Sequence, residues 1–266
     1  MIGLRLASFL AALLATLLAA LLETGVARAD PATDPAQLGP TWEQALVAVP
    51  GPDGQTRRIP TAELPAYLAA NPARPIVVYA HGCSGLGRMG RTASRLYSAH
   101  GYVFVAPDSF ARPVKPVSCA PARLQGGLHR AVLGWRHAEI DHALTRLRGL
   151  SRAPVVLAGH SEGGIAVATY RGQPVTARVI EGWGCHAGWP EYRGLNAPTR
   201  EPVLSLVGAG DPWFQHPALQ GDCGAFMDGN DQSIVFRAPD RRHRRHWLTR
   251  DPTVFRLITG FLATYL

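Results

Sequence analysis

Apolar and polar positions fall into a regular order from residue 75 onward. Short runs rich in Val, Ile, Leu and Ala occupy residues 76–80, 102–106, 155–158, 179–183, 203–207 and 233–237. These runs are continuous rather than alternating, the pattern of strands covered on both faces. Helical stretches lie between most of them, at 90–100, 129–150 and 163–170. In the longest, Val132, Trp135, Ile140, Ala143 and Leu147 share one face, and Arg, His and Glu side chains fill the other. A last helix opens with Asp251 as N-cap and Pro252 at its first position. Strands alternating with helices predict the α/β class, a mostly parallel sheet with helices on both faces. Upstream, residues 41–49 and 56–59 flank the turn sequence Pro52-Asp53-Gly54 and read as a short hairpin. No repeat or composition break divides the chain, so residues 41–266 are expected to form a single domain. Residues 30–40 read as a flexible lead-in.

The N-terminus changes that picture. Arg5 precedes a nearly unbroken apolar run over 6–22, and Ala27-Arg28-Ala29 places small residues at −3 and −1 before Asp30. The layout predicts a signal peptide over 1–29, cleaved after Ala29, and hence a secreted or periplasmic protein. An uncleaved anchor is the alternative; the Ala-x-Ala site and the Pro-rich stretch behind it favour cleavage. No later run is long enough to span a membrane once the signal is removed. Export makes Cys83, Cys119, Cys185 and Cys223 an even set in an oxidising compartment, which predicts two disulfides. None of the four lies in a Cys-x-x-Cys pair or at zinc spacing, so no metal site is expected. The residues are 47% hydrophobic and 17% charged, which excludes disordered and collagen-like chains. The net charge of +8 comes from 27 basic and 19 acidic side chains, with Lys115 the only lysine. No recognisable nucleic-acid-binding motif accompanies it, so no nucleic-acid partner is expected.

The chemistry concentrates in a few loops. Gly159-His160-Ser161-Glu162-Gly163 fits Gly-x-Ser-x-Gly, follows an expected strand and precedes an expected helix. Such a turn is tight enough to need glycines around the serine and pushes its hydroxyl out above the sheet. His81-Gly82-Cys83-Ser84-Gly85 follows the first central strand, so the N–H groups of Cys83 and Glu162 are the expected oxyanion donors. His81 itself reads as a structural hydrogen-bonder. Asp211, in Gly208-Ala209-Gly210-Asp211 just past a strand, is the expected acid; Glu181 is a rival placed inside a strand. The base is His243 or His246, both in the loop after the last strand, and the sequence leaves the two level. His137 and Asp141, at i and i+4, read as helix pairing rather than a metal site.

These motifs in this order resemble the α/β-hydrolase superfamily, and the compact layout is similar to its dienelactone hydrolase-like branch. The resemblance covers residues 75–266 and implies the α/β-hydrolase fold. It implies a serine hydrolase that cleaves carboxylic esters of small molecules through a Ser161-His-Asp211 triad and an acyl-enzyme, without cofactor or metal. Dienelactone hydrolases proper carry a cysteine nucleophile; Ser161 at that position favours general ester chemistry. A small serine peptidase or thioesterase on the same fold is one alternative, and a non-catalytic binding module is another. In this fold Cys83 and Cys119 follow adjacent strands, and Cys185 and Cys223 occupy neighbouring loops, so pairs Cys83–Cys119 and Cys185–Cys223 are expected. Trp183, Trp189, Tyr192, Trp213 and Phe214 fall on the expected active edge and are candidates for a pocket lining. Arg237, Arg241, Arg242, Arg244, Arg245 and Arg250 crowd the histidine loop, where they are expected either to attract anionic substrates or to reflect coding bias.

Overall fold

A computed structural model describes residues 30–114 and 117–266; the expected signal peptide over 1–29 and Lys115 lie outside the described residues. The six apolar runs form a sheet with the predicted hairpin added at one edge. In chain order the strands are β1 (Leu46–Pro50), β2 (Thr56–Ile59), β3 (Ile76–Ala80), β4 (Val103–Ala106), β5 (Val155–His160), β6 (Ala177–Glu181), β7 (Val203–Gly208) and β8 (Gln232–Phe236). Their spatial order is β2-β1-β4-β3-β5-β6-β7-β8. The hairpin β1–β2 is antiparallel and joins β4 antiparallel, while β4 through β8 pair in parallel. β6 stops two residues earlier than its apolar run suggests. Glu181 therefore ends the strand, level with His160 of β5, and Trp183 falls in the loop beyond.

The described residues hold six α-helices: α1 (Pro35–Glu43), α2 (Leu64–Ala70), α3 (Arg88–Ala99), α4 (Val132–Arg148), α5 (Glu162–Thr169) and α6 (Pro252–Leu262). Two apolar layers follow from the unbroken burial of the central strands. On one face Val78, Val105 and Leu157 pack with Leu64 and Leu68 of α2, Leu144 and Leu147 of α4, and Val167 of α5. On the other, Val77, Phe104, Val156 and Leu204 pack with Tyr97 of α3 and Phe255 and Ile258 of α6. Residues 32–266 form one compact unit.

Two stretches differ from the sequence reading. Residues 35–40, expected in a flexible lead-in, and 41–43, expected in a strand, together form α1. The Asp34 carboxylate caps it by accepting from the Ala36 N–H at 2.9 Å, and a proline starts the first turn. Burial of Leu38 and Trp42 outweighs the amide lost at Pro40. The second, α2, is short and carries Pro65 in its first turn; its periodicity is visible only in the buried pair Leu64 and Leu68.

Candidate active site

The expected serine sits at a turn that only this local sequence permits. Ser161 has φ 58° and ψ −121° between β5 and α5, a left-handed conformation that costs a non-glycine residue about 1–3 kcal/mol. A Cβ at Gly163 would lie 1.9 Å from the Ala80 carbonyl oxygen, and one at Gly159 would lie 2.3 Å from that of Gly163. Glycine at both places lets helix α5 come down onto the ends of β3 and β5. The strain is held from both sides, because the Ser161 N–H donates to the Glu181 carbonyl at 2.9 Å and the Ser161 carbonyl accepts the first helical bond from Ile165.

Cys83 and Glu162 line the same cavity as Ser161. Neither backbone amide is engaged by an acceptor among the described residues. For Glu162 the reason is general, since the first amides of a helix have no partner within it. Two free N–H groups beside a serine hydroxyl can hold a developing oxyanion.

Of the two histidines, His246 contacts Asp211 and His243 does not. His246 Nδ1 lies 2.6 Å from Asp211 Oδ2, and Asp211 is 2% exposed. The other carboxylate oxygen of Asp211 accepts from the Trp213 N–H at 3.0 Å, which fixes its plane. The His246 ring stacks on Trp213 and meets Phe214 and His160 edge-on, with centroids 4.8–5.4 Å apart. Its Nε2 is buried and has no partner among the described residues. His160, next to Ser161, donates through Nε2 to the His246 carbonyl at 3.1 Å, so the histidine's backbone is fastened beside the serine. A Cβ at Gly182, where φ is +64°, would stand 2.8 Å from that same carbonyl oxygen. Burial and the neighbouring His246 push the His160 pKa down to about 3, so its ring stays neutral.

His243 is placed elsewhere. Its Nδ1 bonds the Asp240 carbonyl at 2.8 Å, and its own carbonyl accepts from the Gly210 N–H. Glu181, the rival acid, touches neither histidine ring through a hydrogen bond. Its buried carboxylate accepts from the Leu248 and Thr249 amides at 2.6 and 2.7 Å and from the Thr249 hydroxyl. Glu181 thus anchors the chain two residues after His246. Burial pushes its pKa up against those hydrogen bonds.

One polar cluster is absent from the sequence reading. Arg136 and Glu139 lie on the polar face of α4, yet both are buried. The Arg136 guanidinium donates to the Glu162 carboxylate at 2.8 and 3.1 Å, to His81 Nε2 at 3.0 Å and to the Gly82 carbonyl at 3.3 Å. It also bonds Ser109, whose hydroxyl reaches Glu139. His81 donates through Nδ1 to the Gly82 carbonyl and accepts at Nε2 from the Ser109 N–H. Burial and the Arg136 charge keep its pKa well below the usual histidine range, so it is a neutral structural group. One guanidinium therefore grips both loops that carry the free amides. A helical Arg three residues before a Glu is the only sequence signal, and it reads as an exposed pair. His137 bonds the Ala166 carbonyl and Thr169 hydroxyl rather than Asp141, which accepts from Tyr170.

The cavity beside Ser161 measures about 220 Å³, and the five aromatic residues singled out in the sequence all line it. Among the described residues Glu162 is its only charged lining residue, and none of the six arginines of the histidine loop lines it. Cys83 pairs with Cys119 and Cys185 with Cys223, with Cα atoms 6.0 and 4.9 Å apart, the pairing the sequence suggests. Cys83–Cys119 ties the loop after β3 to the segment bearing Gly126 and Gly127; Cys185–Cys223 braces the loops of Trp189 and Leu219.

No family model matches the chain, and no curated protein does. Solved structures do. A protein described as a dienelactone hydrolase from Klebsiella pneumoniae subsp. pneumoniae superposes with TM-score 0.52 at 19% identity, over 72% of this chain and 88% of that one. A phospholipase/carboxylesterase from Dyadobacter fermentans gives 0.51 at 16% identity, over 83% and 96%. A dienelactone hydrolase-like promiscuous phosphotriesterase from metagenomic libraries gives 0.51 at 19%, over 73% and 87%. At such identities the likeness speaks for architecture, and with the strand order and the serine turn it establishes that this chain has the α/β-hydrolase fold, of the kind seen in dienelactone hydrolase-like proteins.

Proposed function

We propose that the protein is an exported serine hydrolase that cleaves carboxylic esters of small molecules. The observation that carries the proposal is the 2.6 Å pair of Asp211 and His246, fastened beside a strained serine. In this reading Ser161 is the nucleophile, His246 the base and Asp211 its orienting acid. Asp211 holds the proton on Nδ1, which leaves the unpartnered Nε2 to take the Ser161 hydroxyl proton as Oγ attacks the ester carbonyl. The tetrahedral oxyanion is held by the amides of Cys83 and Glu162. His246 then protonates the departing alcohol, and water hydrolyses the acyl-enzyme by the same steps in reverse. No cofactor takes part in this sequence of steps. The signal-like residues 1–29 and the two disulfides support export.

The test is labelling with a fluorophosphonate, whose fluoride leaves as the activated serine oxygen bonds phosphorus. Intact mass and peptide mapping are expected to show one adduct, on Ser161, and none in Ser161→Ala. An adduct on another residue, or no adduct while the protein remains folded, overturns the assignment.

A further inference from the structure

We propose that the cavity beside Ser161 selects neutral esters carrying a single aromatic ring and discriminates against carboxylated ones, although the protein is strongly basic. This rests on the ester-hydrolase reading and adds the substrate class. The first argument is the shape of the walls. Trp183 meets Phe214 edge-on at 5.4 Å, and Trp189 meets Tyr192 edge-on at 5.3 Å. Within each pair one ring fixes the other's plane, so the cavity offers flat faces in set orientations beside the aliphatic Ile165, Ala187 and Leu219. An entering aromatic ring can align its edge or face with those quadrupoles, which a saturated ring of the same size cannot do.

The walls are also held in place. Gly127, at φ +70°, lies against Trp189 so closely that a Cβ there would be 3.3 Å from the ring. The Arg130 guanidinium covers Trp189 at 4.9 Å and is paired with Glu191. Both disulfides anchor loops that contribute lining residues. In volume, about 220 Å³ exceeds the roughly 150 Å³ of a dry apolar cavity that takes up benzene, leaving room for the ester group.

Charge supplies the second argument. Among the described residues the only ionic group in the lining is the Glu162 carboxylate, which is paired with Arg136. Three arginines of the histidine loop are committed elsewhere, Arg242 to Asp240 and the Phe236 ring, and Arg241 and Arg245 to Asp251, and none of the six lines the cavity. A carboxylate on the substrate ring would therefore lose water without meeting a cation among the described lining residues, and would share the cavity with Glu162.

The experiment compares kcat/KM for benzyl acetate against cyclohexylmethyl acetate, and for ethyl phenylacetate against ethyl cyclohexylacetate, by pH-stat. The two pairs place the ring on the alcohol or the acyl side with little change in leaving group. An aromatic preference of about tenfold is expected in at least one pair. For 4-carboxybenzyl acetate a drop of about a hundredfold from benzyl acetate is expected. In Trp189→Leu the aromatic preference is expected to fall to about threefold or less; the wild-type comparison stands without that variant. Equal or better turnover of both saturated esters, or of the carboxylated ester, overturns the proposal while leaving the hydrolase reading intact. A separate fluorescence titration of Ser161→Ala with benzyl acetate and cyclohexylmethyl acetate reads ring binding without turnover. Selective binding there, with no ester hydrolysed by the wild type, would remove the hydrolase reading and keep the ring site.

Discussion

Ser161, Asp211 and His246 differ in how plainly the sequence announces them, and the difference is physical. The serine needs glycines at fixed neighbours because carbonyl oxygens would collide with any Cβ, so its motif is written in adjacent residues. Asp211 follows a recognisable strand. The histidine stands in a loop whose path is set from outside, by Glu181 on residues 248–249, His160 on the His246 carbonyl and Asp240 on His243. Nothing within the loop separates two histidines three residues apart. Arg136 was illegible for the opposite reason: a charged residue on the polar side of a helix reads as exposed until the loops of His81 and Ser109 cover it. Its contacts yield a prediction. Arg136→Met should lower kcat by about tenfold or more with little change in KM, because the amide positions matter most when the oxyanion forms. Arg136→Lys should recover part of that loss. A change confined to thermal stability would make Arg136 a purely structural group.

Among the elements, strands covered on both faces were legible because continuous apolar runs have few other uses. α1 was not, because prolines in a short segment suggest a linker, whereas here one starts a capped helix and Trp42 supplies the burial. The links between loops were legible through their cysteines. The disulfide Cys83–Cys119 spans 36 residues and ties the loop after β3, the proposed oxyanion loop, to the segment bearing Gly126 and Gly127. Loop-closure entropy assigns a crosslink of that span roughly 4 kcal/mol of stability. The double variant Cys83→Ser/Cys119→Ser should therefore unfold at lower urea. While still folded it should lose kcat/KM for esters, with the Cys185–Cys223 pair intact by peptide mapping. Unchanged kcat/KM in the folded variant would show that the loop keeps its place without the bond.

At the scale of the whole molecule, the excess positive charge has acquired a place. Of the six arginines of the histidine loop, Arg241, Arg242 and Arg245 pair with Asp240 or Asp251, and none lines the cavity. Acid sensitivity follows instead from buried neutral histidines. His81 and His160 titrate well below the ordinary value in the fold, so between that value and their folded pKa the unfolded chain binds protons that the native state does not. Their contribution is complete above about pH 6.5 and is lost as the pH falls. Urea unfolding at pH 7.5 and pH 5 should show a loss of about 2 kcal/mol from His160, with His81 adding to it in the same direction. Equal stability at both values would mean that both rings take up a proton in the fold as readily as in the unfolded chain.

The central claim is that Ser161, His246 and Asp211 act together, and kcat/KM for p-nitrophenyl acetate across single variants tests it most directly. Ser161→Ala and His246→Ala should each fall by about 10⁴ or more, and His243→Ala should stay within about twofold of the wild type. Full activity in Ser161→Ala, or a loss in His243→Ala that matches or exceeds that in His246→Ala, would contradict the account.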